Sequence, residues 1–170
     1  MRKILRIIED NRASKGIRFA NLIIDRIVVY ILFFLFGTFS VLMYQLLNIE
    51  FFLNITEKLS QLSRVEDILV TSLFYFIYLF LMEYFTKGRT VGKYITGTKV
   101  VTTEGTIPTL QECFIRNISR FVPFDAFSFL GEGNGWHDNW SDTRVINIKN
   151  YVAEKQAKDD INSLGAKENF

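Results

Sequence analysis

Cysteine and histidine each occur only once in this 170-residue chain, and their scarcity limits its chemistry. A single cysteine, Cys113, cannot form an internal disulfide. The single histidine, His137, could act as a base or a metal ligand only if a nucleophile or further ligands converged on it. Asp138 and Asp142 beside it do not complete a metal site. We therefore expect no metal, no cofactor and no enzymatic activity, and we interpret His137 as a loop residue bonded to backbone or lipid phosphate.

A phosphate-binding loop is also lacking. The stretch from Gly88 to Tyr94 (GRTVGKY) has glycines and a lysine, but their spacing is wrong and no hydroxyl residue follows Lys93. We interpret this stretch as a tight turn against a membrane, and we expect no nucleic-acid partner.

Formal charge is missing from a long run near the start of the chain. Ile27 to Ile49 are 23 residues without a charge, and a helix of that length crosses a hydrocarbon core of roughly 30 Å. A secretory signal would have a shorter apolar region followed by small residues, so we do not expect cleavage. Hydrophobic residues make up 49% of the chain, which is more than a small soluble domain usually needs. The run therefore predicts a transmembrane helix over residues 22–47.

A second uncharged run, Ile68 to Met82, has only 15 residues and by length alone could be a buried core helix. Extending the run through Glu83 to Phe85 lengthens it to 18 residues, and seven of these 18 are aromatic. An exposed soluble helix would not carry so many aromatics, and one Glu near the end of a span is tolerated. We predict a second span over residues 66–86.

The distribution of Lys and Arg predicts the orientation of these spans, because both residues accumulate in cytoplasmic flanks. Residues 1–26 carry seven of them, residues 50–67 carry two, and residues 86–120 carry six. We therefore expect a multi-pass protein of the bacterial cytoplasmic (inner) membrane with both termini in the cytoplasm.

Outside the spans, residues 1–12 fit two interpretations. Their isoleucines and Leu5 fall on one helical face, which is typical of a short helix lying on an anionic inner leaflet. A frayed basic terminus that only sets the topology is the alternative.

Two β-rich runs, TVGKYITGTKVVTTEG and DTRVINIK, are predicted to pair as antiparallel strands on the cytoplasmic side, since neither alone could satisfy its backbone groups. Residues 110–131 should form a short interfacial segment, because Pro123 and Asp125 interrupt an apolar run too short to cross. Trp136 and Trp140 are predicted to anchor at the headgroups. Residues 151–170 form a polar tail, either a frayed helix or disordered, after a membrane domain over residues 1–150. The fold class is an all-α membrane protein with two transmembrane helices, a short interfacial helix and a two-stranded antiparallel element.

A set of polar residues is predicted to meet near the inner ends of the spans. Arg18, Asn21 and Asp25 have i, i+3 and i+7 spacing, so a helix leading into the first span carries them on one face. Arg116 and Arg120 have i, i+4 spacing on a later helix. Partly buried carboxylates need cations, so we expect these arginines to neutralise Asp25 and Glu83. The candidate polar site comprises Arg18, Asn21, Asp25, Glu83, Arg116, Asn117, Arg120 and Asp138.

Four motifs in this order resemble the RDD family of bacterial membrane proteins, from about Ala13 to Ile148. They are an Arg seven residues before an Asp (Arg18, Asp25), a GK-x-x-x-G-x-x-V-V element (Gly92, Lys93, Gly97, Val100, Val101), R-N-x-x-R (Arg116, Asn117, Arg120) and H-D-x-x-x-x-T (His137, Asp138, Thr143). The resemblance implies that Arg18, Asp25 and Asp138 are the Arg and two Asp of the family name. It implies a further span after R-N-x-x-R, where this chain has only the broken apolar run.

Three functional hypotheses follow. The polar cluster could be structural, docking the cytoplasmic segments onto the spans of a protein that acts at the membrane interface. The resemblance, together with Asp25 and Glu83, also admits a component of a transporter or cation/proton exchanger, which with two spans would need an oligomer or a larger complex. A membrane-bound adaptor or assembly factor is the third possibility. The expected partners are the lipid bilayer, anionic lipids in particular, and further copies or subunits of a membrane complex.

Overall fold

Two long apolar helices dominate the computed structural model, which describes residues 4–120 and 136–167. Helix α2, Lys15–Leu47, begins after Ser14, whose hydroxyl accepts from the Ile17 backbone N–H, and ends at Asn48 in the left-handed conformation. Helix α4, Arg64–Phe85, begins with a capping box between Ser63 and Glu66. Windows within the two helices reach mean hydropathies of 2.3 and 1.8, so both are long and apolar enough to cross a membrane.

The two helices pack through a narrow apolar contact. Val29 of α2 packs against Tyr75 and Leu79 of α4, and Phe33 meets Phe74 edge to face with ring centroids 5.2 Å apart. Helix α3, Glu50–Ser60, turns back along the second half of α2, where Phe52 lies 5.3 Å from Phe39. Most other apolar side chains of α2 and α4 stay exposed, as expected for helices covered by lipid.

A small sheet lies at the other end of the helix pair. Strands β1, Thr98–Thr102, and β2, Thr143–Asn147, pair antiparallel with Val100 opposite Val145. One face of the sheet packs Val100 and Val145 against Ala13 and Ile17 at the start of α2. The predicted pairing of the two β-rich runs is therefore confirmed.

The other face of the sheet is covered by the N-terminal residues. Helix α1, Arg6–Asp10, buries Ile8 completely against Val101 and Ile146, and Arg12 forms a β-bridge with Ile146. Both interpretations of residues 1–12, a helix on the leaflet and a frayed terminus, are therefore wrong for the described part. The apolar face of α1 is used inside the protein.

Four short or polar helices complete the sheet end. The stretch from Gly88 to Tyr94 was interpreted as a tight turn. The turn is found only around Gly88, and helix α5, Val91–Thr96, begins within the same stretch. Helix α6, Leu110–Ser119, packs on α4 and on α7, Trp136–Trp140. The remainder of the predicted interfacial segment, residues 121–131, lies outside the described residues. Helix α8, Ile148–Lys167, covers most of the predicted polar tail, for which a helix was one of the two alternatives.

The architecture is thus mostly helical, with two candidate membrane helices and a two-stranded antiparallel sheet, which confirms the fold class. The predicted spans, 22–47 and 66–86, fall within or close to α2 and α4. Helix α2 begins seven residues before its predicted span and runs roughly 50 Å at the usual rise per residue. Those added residues carry Arg18 and Asn21.

Candidate functional site

A buried charge cluster forms where the sheet end meets α2 and α4. Arg18, Asn21 and Asp25 lie on one face of α2, as their spacing predicted, and are only 7%, 4% and 2% exposed. Glu83 from α4 and Arg116 and Asn117 from α6 are almost completely buried. Residues distant in sequence therefore meet at one place, where no more than 7% of each of these six residues is exposed.

Asp138 of α7 is the anchor of the first half of this cluster. Its carboxylate accepts from Arg18 and from Arg116, and its side chain is about 1% exposed. Arg116 Nη1 also donates to Thr143 Oγ1 at 2.8 Å, which ties α6 to the start of β2. Burial alone would raise the pKa of Asp138, but Arg116, His137 and Arg18 together hold it well below its usual range. Asp138 is therefore ionised throughout the physiological pH range.

Glu83 anchors the second half. One of its oxygens accepts from the Lys93 ammonium, and the other accepts from Asn117 Nδ2 at 3.0 Å and lies 3.5 Å from Arg116 Nε. Arg120 Nη2 is farther away, at 3.9 Å. Burial lowers the pKa of Lys93 from 10.5 to about 8, an effect that the charge of Glu83 partly offsets.

Asp25 is held by hydrogen bonds rather than by an ion pair. It accepts from Tyr78 Oη at 3.0 Å, from Thr90 Oγ1 at 2.6 Å and from the Gly92 backbone N–H at 2.9 Å. Among the described residues no cationic group lies within 4.0 Å of this carboxylate, so the expected neutralisation of Asp25 by the arginines is wrong. The physical reason is that Asp25 meets the first turn of α5, which supplies a backbone donor and a capping threonine.

The GK-x-x-x-G-x-x-V-V element explains how α5 approaches α2 so closely. A Cβ on Gly92 would lie 2.7 Å from the Asn21 carbonyl oxygen, so only glycine fits there. Lys93 follows directly and enters the cluster, Gly97 ends α5 with a φ of 67°, and Val100 and Val101 fill the two faces of the sheet. Asn21 adds a link by donating to Thr98 Oγ1 and accepting from Thr96 Oγ1.

His137 differs from its interpretation. His137 is on α7 and buried, with Nε2 3.4 Å from Arg18 Nη2 and 3.5 Å from Asp138 Oδ1. It is therefore part of the cluster, not a loop residue beside lipid. Trp140 is 56% exposed, and its anchoring at the headgroups stays a prediction. The side chain of Trp136 lies outside the described residues.

Besides His137, sequence reasoning missed Lys93, Thr90 and Tyr78 as participants in the cluster. Lys93 stands among apolar residues in VGKYI, and a lysine in such surroundings is a signal of a buried pair. Thr90 is the N-cap residue of α5, and a threonine just before a helix is a sequence signal of such a cap. Tyr78 carries no comparable signal, because it is one aromatic of many in α4.

Each of the three carboxylates in the cluster, Asp25, Glu83 and Asp138, accepts two or more hydrogen bonds from protein groups. Within residues 4–120 and 136–167, no three His, Cys, Asp or Glu side chains converge as a metal ion would require. The arrangement is suited to locking α2, α4, α6 and α7 together, with an excess of cationic side chains at its centre.

Comparison with known proteins adds one finding. The family model described as the RDD family matches residues 12–144, which include every residue of the cluster. No curated protein and no solved structure matches the chain. Because the matched region covers well over half of its length, the chain belongs to the RDD family.

Proposed function

We propose that this RDD family protein acts at the cytoplasmic face of the bacterial inner membrane, as a membrane-anchored binding module and not as an ion carrier. The observation that carries the proposal is the state of the buried carboxylates. Asp138 and Glu83 are already neutralised by cationic side chains, and Asp25 accepts three hydrogen bonds. None of them is left to take up a cation.

The cytoplasmic location is supported by charge. The segments rich in Lys and Arg, residues 1–26 and 86–120, both lead into the sheet end, whereas α3 and its flanks carry only Lys58 and Arg64. The cluster, the sheet and α8 would then all face the cytoplasm. Helices α2 and α4 would serve chiefly as anchors.

Cation/proton exchange fits the geometry less well. A carboxylate that carries protons must gain and lose its proton near neutral pH, and Asp138 is held ionised far below it. The two candidate membrane helices of the described residues pack along one narrow contact, which cannot enclose a pathway.

Flux measurements test this proposal. Vesicles containing the purified protein and a pH-sensitive dye should respond to a sodium or potassium gradient no faster than empty vesicles. Asp25→Asn should be equally silent. A cation-dependent proton flux that Asp25→Asn abolishes, while Glu57→Gln on exposed α3 leaves it intact, would contradict the proposal.

A further inference from the structure

A cavity of about 160 Å³ lies inside the charge cluster, between α2, Tyr75 of α4, α6 and α7. At roughly 30 Å³ per molecule it would hold about five waters, so it has room for a phosphate group. Five cationic side chains are among the described residues that line it: Arg18, Arg26, Lys93, Arg116 and Arg120.

The cavity has more positive than negative charge around it. Among the described residues, three carboxylates stand against those five cations, namely Asp25, Glu83 and Asp138, so these side chains leave an excess of two positive charges before His137 is considered. Arg26 and Arg120 are the least compensated. Arg26 stacks on the Tyr75 ring at 4.4 Å and has no carboxylate within 4.0 Å among the described residues, and Arg120 reaches Glu83 only at 3.9 Å.

Buried hydrogen-bond donors without acceptors also favour an anionic ligand in this cavity. Arg116 Nη2, Arg120 Nε and the Tyr75 hydroxyl are buried, and none has a hydrogen-bond partner among the described residues. All three belong to side chains that line the cavity, and all three can donate. Buried donors without acceptors are costly, and water would satisfy them without balancing the charge. A ligand with several anionic acceptor oxygens would do both.

We propose that this cavity binds the phosphate group of an anionic ligand, with Arg26, Arg116, Arg120 and Tyr75 as its donors. Guanidinium groups match phosphate oxygens in geometry and charge. The inference rests on the proposed function for the membrane setting. Because Arg26 and Tyr75 lie on the two candidate membrane helices, a neighbouring anionic phospholipid can present its headgroup phosphate to the cavity. Soluble phosphate has the same chemistry.

Thermal unfolding of the full-length protein in a neutral detergent tests the site and separates the two sources. Added phosphatidylglycerol should raise the melting temperature saturably, and phosphatidylcholine should not. The half-saturating lipid fraction should increase about tenfold or more in Arg120→Gln and in Arg26→Gln, each of which removes a guanidinium donor. Arg6→Gln removes the same charge from a side chain that is 92% exposed, and it should change the half-saturating lipid fraction less than about twofold.

Potassium phosphate compared with potassium chloride at equal ionic strength forms the second arm. A saturable rise with inorganic phosphate, weakened in the same two variants, assigns the site to phosphate as such, and a rise with the lipid alone assigns it to headgroups. No rise in either arm, or equal losses in Arg6→Gln and the cavity variants, overturns the proposal. Should Arg120→Gln fail to fold, Arg26→Gln carries the test, since Arg26 makes no ion pair with a described residue. Cation flux would overturn the proposed function and leave this site standing, so the two failures are distinguishable.

Discussion

Glu83 lies beside three cationic side chains, so removing its charge disturbs more of the cluster than removing any one partner. Glu83→Gln leaves Lys93 and Arg116 buried with one carboxylate fewer, and we expect it to lower the free energy of unfolding by about 3–5 kcal/mol. Lys93→Met leaves Glu83 in contact with Arg116 and Asn117 and should lower it by about 1–3 kcal/mol. Denaturation in detergent measures both. A loss in Lys93→Met equal to or greater than that in Glu83→Gln would contradict this order.

Gly92 provides a residue-scale test of how α5 docks. Gly92→Ala places a methyl group against the Asn21 backbone, which cannot yield as a flexible side chain would, and should destabilise the protein by about 1–3 kcal/mol. Gly37→Ala is the matched control, because nothing lies within 4 Å of a Cβ at that position of α2. It should be neutral or slightly stabilising. Equal melting temperatures for the two variants would refute the close contact.

At the same scale, helical spacing placed Arg18, Asn21 and Asp25 together, because periodicity determines which residues share a face. It could not identify their partners. Asp25 meets α5 and Arg18 meets Asp138 through contacts that span 65 or more residues of sequence. Those distances depend on the entire packing of the sheet end, which no local pattern encodes.

Among the elements, α1 carries the clearest prediction. Ile8 is completely buried, so Ile8→Ala should lower the free energy of unfolding by about 2–5 kcal/mol through the cavity it leaves. Ile4, which is 42% exposed, is the control, and Ile4→Ala should change it by less than about 0.5 kcal/mol. Chemical denaturation in detergent distinguishes them. If α1 instead lay on the membrane, both variants would unfold like the wild type and only membrane binding of the N-terminus would change.

The strands and α1 illustrate what a sequence can predict about elements. The two β-rich runs were the only ones available, so each needed the other as partner, and the pairing followed. The apolar face of α1 suits a membrane surface and a sheet equally well by composition. Only the position of the sheet, one face of which α1 and Tyr151 of α8 cover, decides between them.

For the whole molecule, the four family motifs belong to one structural unit. Arg18 and Asp138 form an ion pair, Asp25 caps α5, and R-N-x-x-R supplies the residues between Asp138 and Glu83. The order of the motifs along the chain can be seen in the sequence, but their convergence at one place in the structure cannot. The cluster fixes how the sheet end sits on the two candidate membrane helices, and the cationic cavity at its centre is the feature best suited to binding.

Single-cysteine labelling tests most directly whether this cluster lies at the cytoplasmic face. In a Cys113→Ser background, Glu57→Cys on α3 places one exposed thiol in the segment between the two candidate membrane helices, and Asn150→Cys on α8 places one in the segment after them. A membrane-impermeant maleimide applied to spheroplasts should label Glu57→Cys at once and Asn150→Cys only after lysis. Labelling of Asn150→Cys in intact spheroplasts, with Glu57→Cys protected until lysis, would place the cluster on the opposite face and contradict the proposed function.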